Sequence, residues 1–168
     1  MKTFVNKSLY RQPKSSSGFT LIELMVTIAV LAIIVSIAAP NISNQLANQR
    51  VKSTTATLQN ALKEAKVESV IRRQDVEVTI NNNGTAAGSI VITGGNSLNI
   101  TTYSYSVKST VKAVDGGGVA VTNIKFKPSK TADTRTFTIC DSTQTASPRQ
   151  ITVSRVANIT TNLGGTCP

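Results

Sequence analysis

The 168-residue chain has no histidine, only two cysteines, eight acidic residues and 4% aromatics. Without histidine the commonest general base and metal ligand is missing. No two carboxylates stand at a spacing that reads as an acid–base pair, and no glycine-rich phosphate loop follows a strand. Gly116-Gly117-Gly118 lacks the Lys-Ser/Thr of such a loop and reads as a flexible turn. The acids beyond Glu23 are scattered; Glu64 and Glu68, four apart among cations, read as a solvated ion-pair face. These absences argue against an enzyme, and neither a metal nor a cofactor is implied.

Acidic charge is also scarce relative to basic charge. Lys and Arg number 18 against 8 Asp and Glu, for a formal net charge of +10. Four of the cations, Lys2, Lys7, Arg11 and Lys14, crowd the first 18 residues, which hold no acid. The remainder keeps 14 cations against 8 acids, a moderate bias that suits solubility and also suits anionic partners.

What the chain does have is one long apolar run. Phe19 to Ala39 contains a single charge, Glu23, and as a helix rising about 1.5 Å per residue it reaches roughly 31 Å, the thickness of a bilayer core. The basic stretch ahead of it predicts a cytoplasmic N-terminus and an exported remainder. Cys140 and Cys167, an even pair in an exported domain, are then expected to bridge. Closing their loop of 26 intervening residues contributes about 3 to 4 kcal/mol in the chain-entropy model.

Past Pro40, where a kink is expected, the pattern stays helical to about Arg73. Val51, Leu58, Leu62, Ala65 and Ser69 line one face, with Lys52, Lys63, Glu64 and Lys66 turned outward. Strand patterns then begin. Val76, Val78 and Ile80 alternate before the turn residues Asn81-Asn82-Asn83-Gly84, predicting a hairpin. Further strands are expected over 89–93, 99–107, 119–127, 135–140 and 150–156, separated by Gly94-Gly95, the Gly116 triplet and Pro128. The expected fold class is α+β, a long helix whose second half packs on a small antiparallel sheet.

Gly18-Phe19-Thr20-Leu21-Ile22-Glu23, the apolar segment behind it and Pro40 resemble the prepilin signature of type IV pilins and type II secretion pseudopilins. The layout beyond, with Phe137-Thr138-Ile139-Cys140 near its end, resembles the GspH/FimT/FimU branch of minor pilins. The resemblance implies a type IV pilin fold with a leader over 1–18, a membrane and fibre-core helix over 19–39 and a periplasmic domain over 40–168. It implies that a prepilin peptidase cleaves between Gly18 and Phe19 and methylates the Phe19 amine. An inner-membrane assembly platform then inserts the subunit, at low copy number and near the tip where it initiates or caps the fibre, among major and minor pilins of a Gram-negative cell-surface pilus serving adhesion, twitching motility or DNA uptake. Glu23, costly in hydrocarbon, acquires a partner there in the Phe19 amine of a neighbouring subunit. Two plainer readings compete: a secretory signal cut after Ser36-Ile37-Ala38, and an uncleaved anchor.

Some members of the FimT branch bind duplex DNA through a C-terminal Gly-Arg-x-Arg. Here Val153-Ser154-Arg155-Val156 keeps one arginine and lacks the glycine. Lys125, Lys127, Lys130, Arg135, Arg149 and Arg155 are the candidate contacts for weak, nonspecific binding of double-stranded DNA. The type II secretion pseudopilin shares every one of these features.

Overall fold

The computed structural model describes residues 18–82 and 84–167, the side chains of 38–41 excepted. The leader cations, Asn83 of the predicted turn and the kink expected at Pro40 lie outside the described residues. The chain forms two compact units, Met1–Ala39 and Pro40–Pro168.

Helical structure, α1, runs over Leu21–Arg72. It ends because Arg73 turns to a positive φ of 54°, the left-handed conformation that closes many helices. Among the described residues of the first unit the helix is exposed: its large apolar side chains from Phe19 to Ile37 range from 50% exposed at Val30 to 82% at Phe19. No single helix among the described residues is long and apolar enough to cross a membrane. Leu21–Ile37 and Ile42–Arg72 reach that length and composition only as a pair.

The described residues of the second unit form nine antiparallel strands: β1 (Val76–Asn81), β2 (Gly88–Thr93), β3 (Asn99–Tyr105), β4 (Ser109–Asp115), β5 (Ala120–Val121), β6 (Asn123–Phe126), β7 (Arg135–Asp141), β8 (Arg149–Val153) and β9 (Ile159–Leu163). The single sheet expected is divided in two, ordered β3-β2-β1-β6 and β5-β4-β7-β8-β9. The run 119–127 is where the division occurs. Val121 pairs with Ala113 in the second sheet, and two residues on, Asn123 pairs with Thr79 in the first. Strands β4 and β9 were not expected at all.

The predicted helix stripe packs inward. Val51, Leu58, Leu62 and Ala65 are fully buried and Ser69 nearly so, joined by Ala47 and Ala61. They share one core with Val76, Val78, Ile90, Ile92, Ile124 and Phe126 of the first sheet and Phe137, Ile139, Ile151 and Val153 of the second. Period 3.6 on the helix and period 2 on the strands produce this packing.

Two helix residues expected to face solvent do not. The Glu64 carboxylate accepts hydrogen bonds from Thr101 Oγ1, at 2.7 Å, and from the Tyr103 hydroxyl, both on β3. Lys66 Nζ donates to the Ala157 carbonyl at 2.7 Å, holding the β8–β9 turn. Each side chain is long enough to lie along the core's rim and reach a polar partner, Glu64 on β3 and Lys66 on the turn after β8. Glu68 pairs with Arg72 four residues on, as expected of the helix surface.

Candidate functional site

The N-terminal features occupy the start of α1. Gly18 is exposed, with open space where a Cβ would stand, and Phe19 follows it. Thr20 caps the helix: its Oγ1 accepts the Glu23 N–H at 3.2 Å, and its carbonyl accepts the Leu24 N–H at 3.2 Å. Thr20-Leu21-Ile22-Glu23 is therefore spaced as a capping box, with the acid at the third helical position. That spacing is legible in the sequence, and Thr20 is the residue that motif reading had passed over. A carboxylate there favours the helix by its position in the macrodipole, a fraction of a kcal/mol.

The two cysteines are joined. Cys140, buried at the end of β7, forms a disulfide with Cys167, Cα to Cα 5.9 Å. Alternation on β7 buries Ile139 and turns Cys140 to the opposite face of the sheet. The chain after β9 therefore runs back across that outer face. Gly165, at φ +104°, passes so near Thr138 and Gln150 that an added Cβ would stand 2.7 Å from Thr138 Cγ2 and 3.1 Å from Gln150 Cγ. Glycine is required there by both conformation and space.

Beside the disulfide lies an ion pair with no signal in the sequence. Arg50 on α1 donates through Nε and Nη2 to the two carboxylate oxygens of Asp141, at 2.8 and 3.0 Å. Asp141 also accepts from the Thr143 hydroxyl and N–H. The Arg50 guanidinium first, with Thr143's bonds, outweighs the cost of burial and lowers the Asp141 carboxyl to about 2.

Four of the six candidate DNA contacts, Lys125, Lys127, Arg135 and Arg155, gather around Asp133, whereas Arg149 lines another groove. Lys125 lies 3.8 Å from Glu77 on the neighbouring strand. Arg135 is committed to the Asn123 and Thr134 carbonyls, each at 3.0 Å, and to Asp133. Lys127 and Arg155 line one polar groove together with Asp133. Arg149 lines a different one with Lys52 and Ser147. Lys130 is exposed on a turn at φ 60°.

Residues 54–157 match the family described as type II transport protein GspH, and residues 13–39 match the prokaryotic N-terminal methylation motif. Among solved structures, the fold is similar to the type IV minor pilin FimU of Pseudomonas aeruginosa, with TM-score 0.57 and 18% identity over 71% of this chain and 96% of that one. It is similar also to the minor pseudopilin EpsH of the Vibrio cholerae type 2 secretion system, with TM-score 0.55 and 12% identity over 71% and 99%.

Proposed function

We infer the role of this chain from one premise: it belongs to the GspH family of type II transport proteins, whose fold is that of the minor pilins and pseudopilins. The reading is that it is a minor type IV pilin, a structural subunit rather than an enzyme. The observation that carries it is the exposed apolar helix from Phe19 to Ile37, whose only charge is Glu23, on a chain whose second unit has its own buried core. A surface of that kind needs surroundings, lipid first and other helices afterwards.

In this reading a prepilin peptidase removes residues 1–18 and methylates the amine of Phe19. Residues 19–39 hold the subunit in the inner membrane with its N-terminus cytoplasmic and residues 40–168 periplasmic. An assembly platform then moves it into a fibre with other pilins, where Glu23 meets a neighbour's Phe19 amine. The methylation-motif match over 13–39 supports processing at that junction. Sequencing and mass measurement of the N-terminus of purified protein test this step: a monomethylated Phe19 is expected, Ala39 identifies a secretory signal, and Met1 an anchor.

A second reading, a type II secretion pseudopilin, is favoured by the GspH match itself and by the likeness to EpsH. Deletion followed by separate assays of piliation, secretion and transformation distinguishes the two. Loss of piliation with secretion intact supports the pilin, and the reverse supports the pseudopilin. The third reading, a pilus-displayed DNA receptor, draws on Lys127 and Arg155, which share a groove, but has Arg149 in another and Arg135 engaged internally.

A further inference from the structure

Sheet edges are normally blunted by charge, proline, bulges or cover, because unpaired backbone groups invite another strand. In the second unit β6 is covered: Ala132 bridges to Phe126, and Asp133 N–H donates to the Lys125 carbonyl. Strand β5 has two residues. Strand β3 is long, but the register of its pairing shifts between Ile92 and Thr93. Strand β9 is different. Ile159-Thr160-Thr161-Asn162-Leu163 has no charge, no proline and an unbroken register with β8 from Arg149↔Leu163 to Val153↔Ile159.

The ladder fixes which backbone groups are free. Gly164 N–H donates to Pro148 O at 3.1 Å, and Ser154 N–H to Asn158 O at 3.0 Å. Antiparallel pairs alternate between bonded and non-bonded, so Gln150↔Asn162 and Thr152↔Thr160 are the bonded pairs between those two. Thr160 and Asn162 turn their peptide groups to β8, whereas Ile159, Thr161 and Leu163 turn theirs away from the sheet. Leu163 is 70% exposed.

The charge around this edge identifies the kind of strand it fits. Leu163 borders a groove of about 310 Å³ that also takes in Lys52 and Arg149. Among the described residues, neither cation has a hydrogen-bond or ion-pair partner. Six of the chain's eight acids, Glu64, Glu68, Glu77, Asp115, Asp133 and Asp141, have partners within the chain, which leaves only Glu23 in the apolar helix and Asp75. A second copy of this basic domain brings more cations than free acids to the edge.

We propose that β9 is a docking edge for an extended acidic segment of another protein. That segment adds as a strand through the outward peptide groups of Ile159, Thr161 and Leu163 and sets a carboxylate against Lys52 and Arg149. The inference rests on the subunit reading only for its choice of a protein as the partner. Piliation and secretion assays decide that reading separately.

The test uses the full chain in detergent micelles and a labelled peptide, Thr-Val-Glu-Val-Glu-Val-Thr, with a Lys-for-Glu counterpart and a version interrupted by proline. Expected is saturable binding of the acidic peptide and slowed amide exchange at Ile159, Thr161 and Leu163, with about tenfold weaker binding of the other two peptides. Thr161→Pro removes an outward donor and spares the β8 ladder, since proline is tolerated on an edge where its nitrogen faces solvent. It should abolish binding while circular dichroism shows a retained fold. Lys52→Glu with Arg149→Glu, which does not touch the backbone, should reverse the preference between the acidic and basic peptides. Equal binding of acidic and basic peptides, or no change in exchange on β9, overturns the proposal. So does a peptide-free dimer that Thr161→Pro dissolves, because the edge then belongs to a second copy.

Discussion

Arg50 and Asp141, 91 positions apart, meet in two parallel hydrogen bonds of 2.8 and 3.0 Å, tying α1 to the strand end that carries Cys140. The carboxylate is fully buried and the guanidinium mostly so. Fork-shaped pairing of this kind fixes orientation as well as charge. The helix is thus tied to the second sheet by one specific pair in addition to its apolar stripe.

This pair makes stability depend on pH in the acid range. The folded-state pKa of Asp141 is depressed to about 2, below its ordinary value of 3.8. Its stabilising contribution is therefore present above about pH 4 and is lost as pH falls through the folded value near 2. Asp141→Asn should destabilise the domain at neutral pH by about 3 kcal/mol, because Arg50 is left without its counterion. Denaturant melts of both proteins between pH 2 and pH 7 should converge toward the acid end.

The strap from Gly164 to Cys167 should respond to substitution at Gly165. A Cβ there meets Thr138 and Gln150, and φ +104° is strained for any other residue. Gly165→Ala is expected to cost about 1 to 3 kcal/mol and to speed reduction of the Cys140–Cys167 bond. Reducing the wild-type bond should cost about 2 to 4 kcal/mol. Thiol-trapping rates and denaturant melts measure both, and a Gly165→Ala protein reduced no faster than wild type would contradict the account of the strap.

Gly88 presents a similar case on the first sheet. It pairs with Tyr105, whose ring lies over it; a Cβ at Gly88 would stand 2.1 Å from Tyr105 Cζ. The Tyr105 hydroxyl donates to Asn82 Oδ1 at 2.7 Å, and burial pushes it up to about 12. Gly88→Ala must displace the ring and this bond, at about 1 to 3 kcal/mol. Ultraviolet titration should then show one tyrosine moving down toward 10.

The cations give a prediction about DNA. If the groove of Lys127 and Arg155 makes phosphate contacts, Lys127→Ala and Arg155→Ala each weaken binding and lower its salt dependence, while Arg149→Ala, in another groove, changes neither. Anisotropy titrations of duplex DNA at 50 and 200 mM salt read this directly. Equal effects of all three would instead assign the contacts to both grooves.

The helix stripe was legible because one side of α1 meets the sheets and the other does not, so the 3.6-residue period survives in the sequence. The strands with buried alternation, β1 and β2, were legible for the same reason. Strand β9 was not, since an edge of Thr and Asn has little apolar alternation to detect. The division between β5 and β6 hangs on Thr122, one residue between pairings in different sheets. Arg50 and Asp141 leave no local trace, because pairing across 91 residues is set by the topology that brings the helix to β7. Thr20 was legible in the Thr-x-x-Glu spacing, yet a motif read for processing draws attention away from the cap.

The two roles proposed for Glu23, helix capping and assembly, are separable, and Thr20 provides the control. Thr20→Ala removes the Oγ1 acceptor for the Glu23 N–H, at about 1 kcal/mol of helix-start stability, and leaves the carboxylate in place. Glu23→Gln keeps a capping-box side chain and removes the charge. If the acid serves to meet a neighbour's amine, Glu23→Gln abolishes incorporation into the fibre while Thr20→Ala lowers it only slightly, with both proteins processed to Phe19 and present in the membrane. If capping is its whole purpose, the order reverses. Immunoblots of sheared fibre against membrane fractions decide between them, because neither substitution touches the core of the second unit, where Leu58, Phe126 and Phe137 hold the fold.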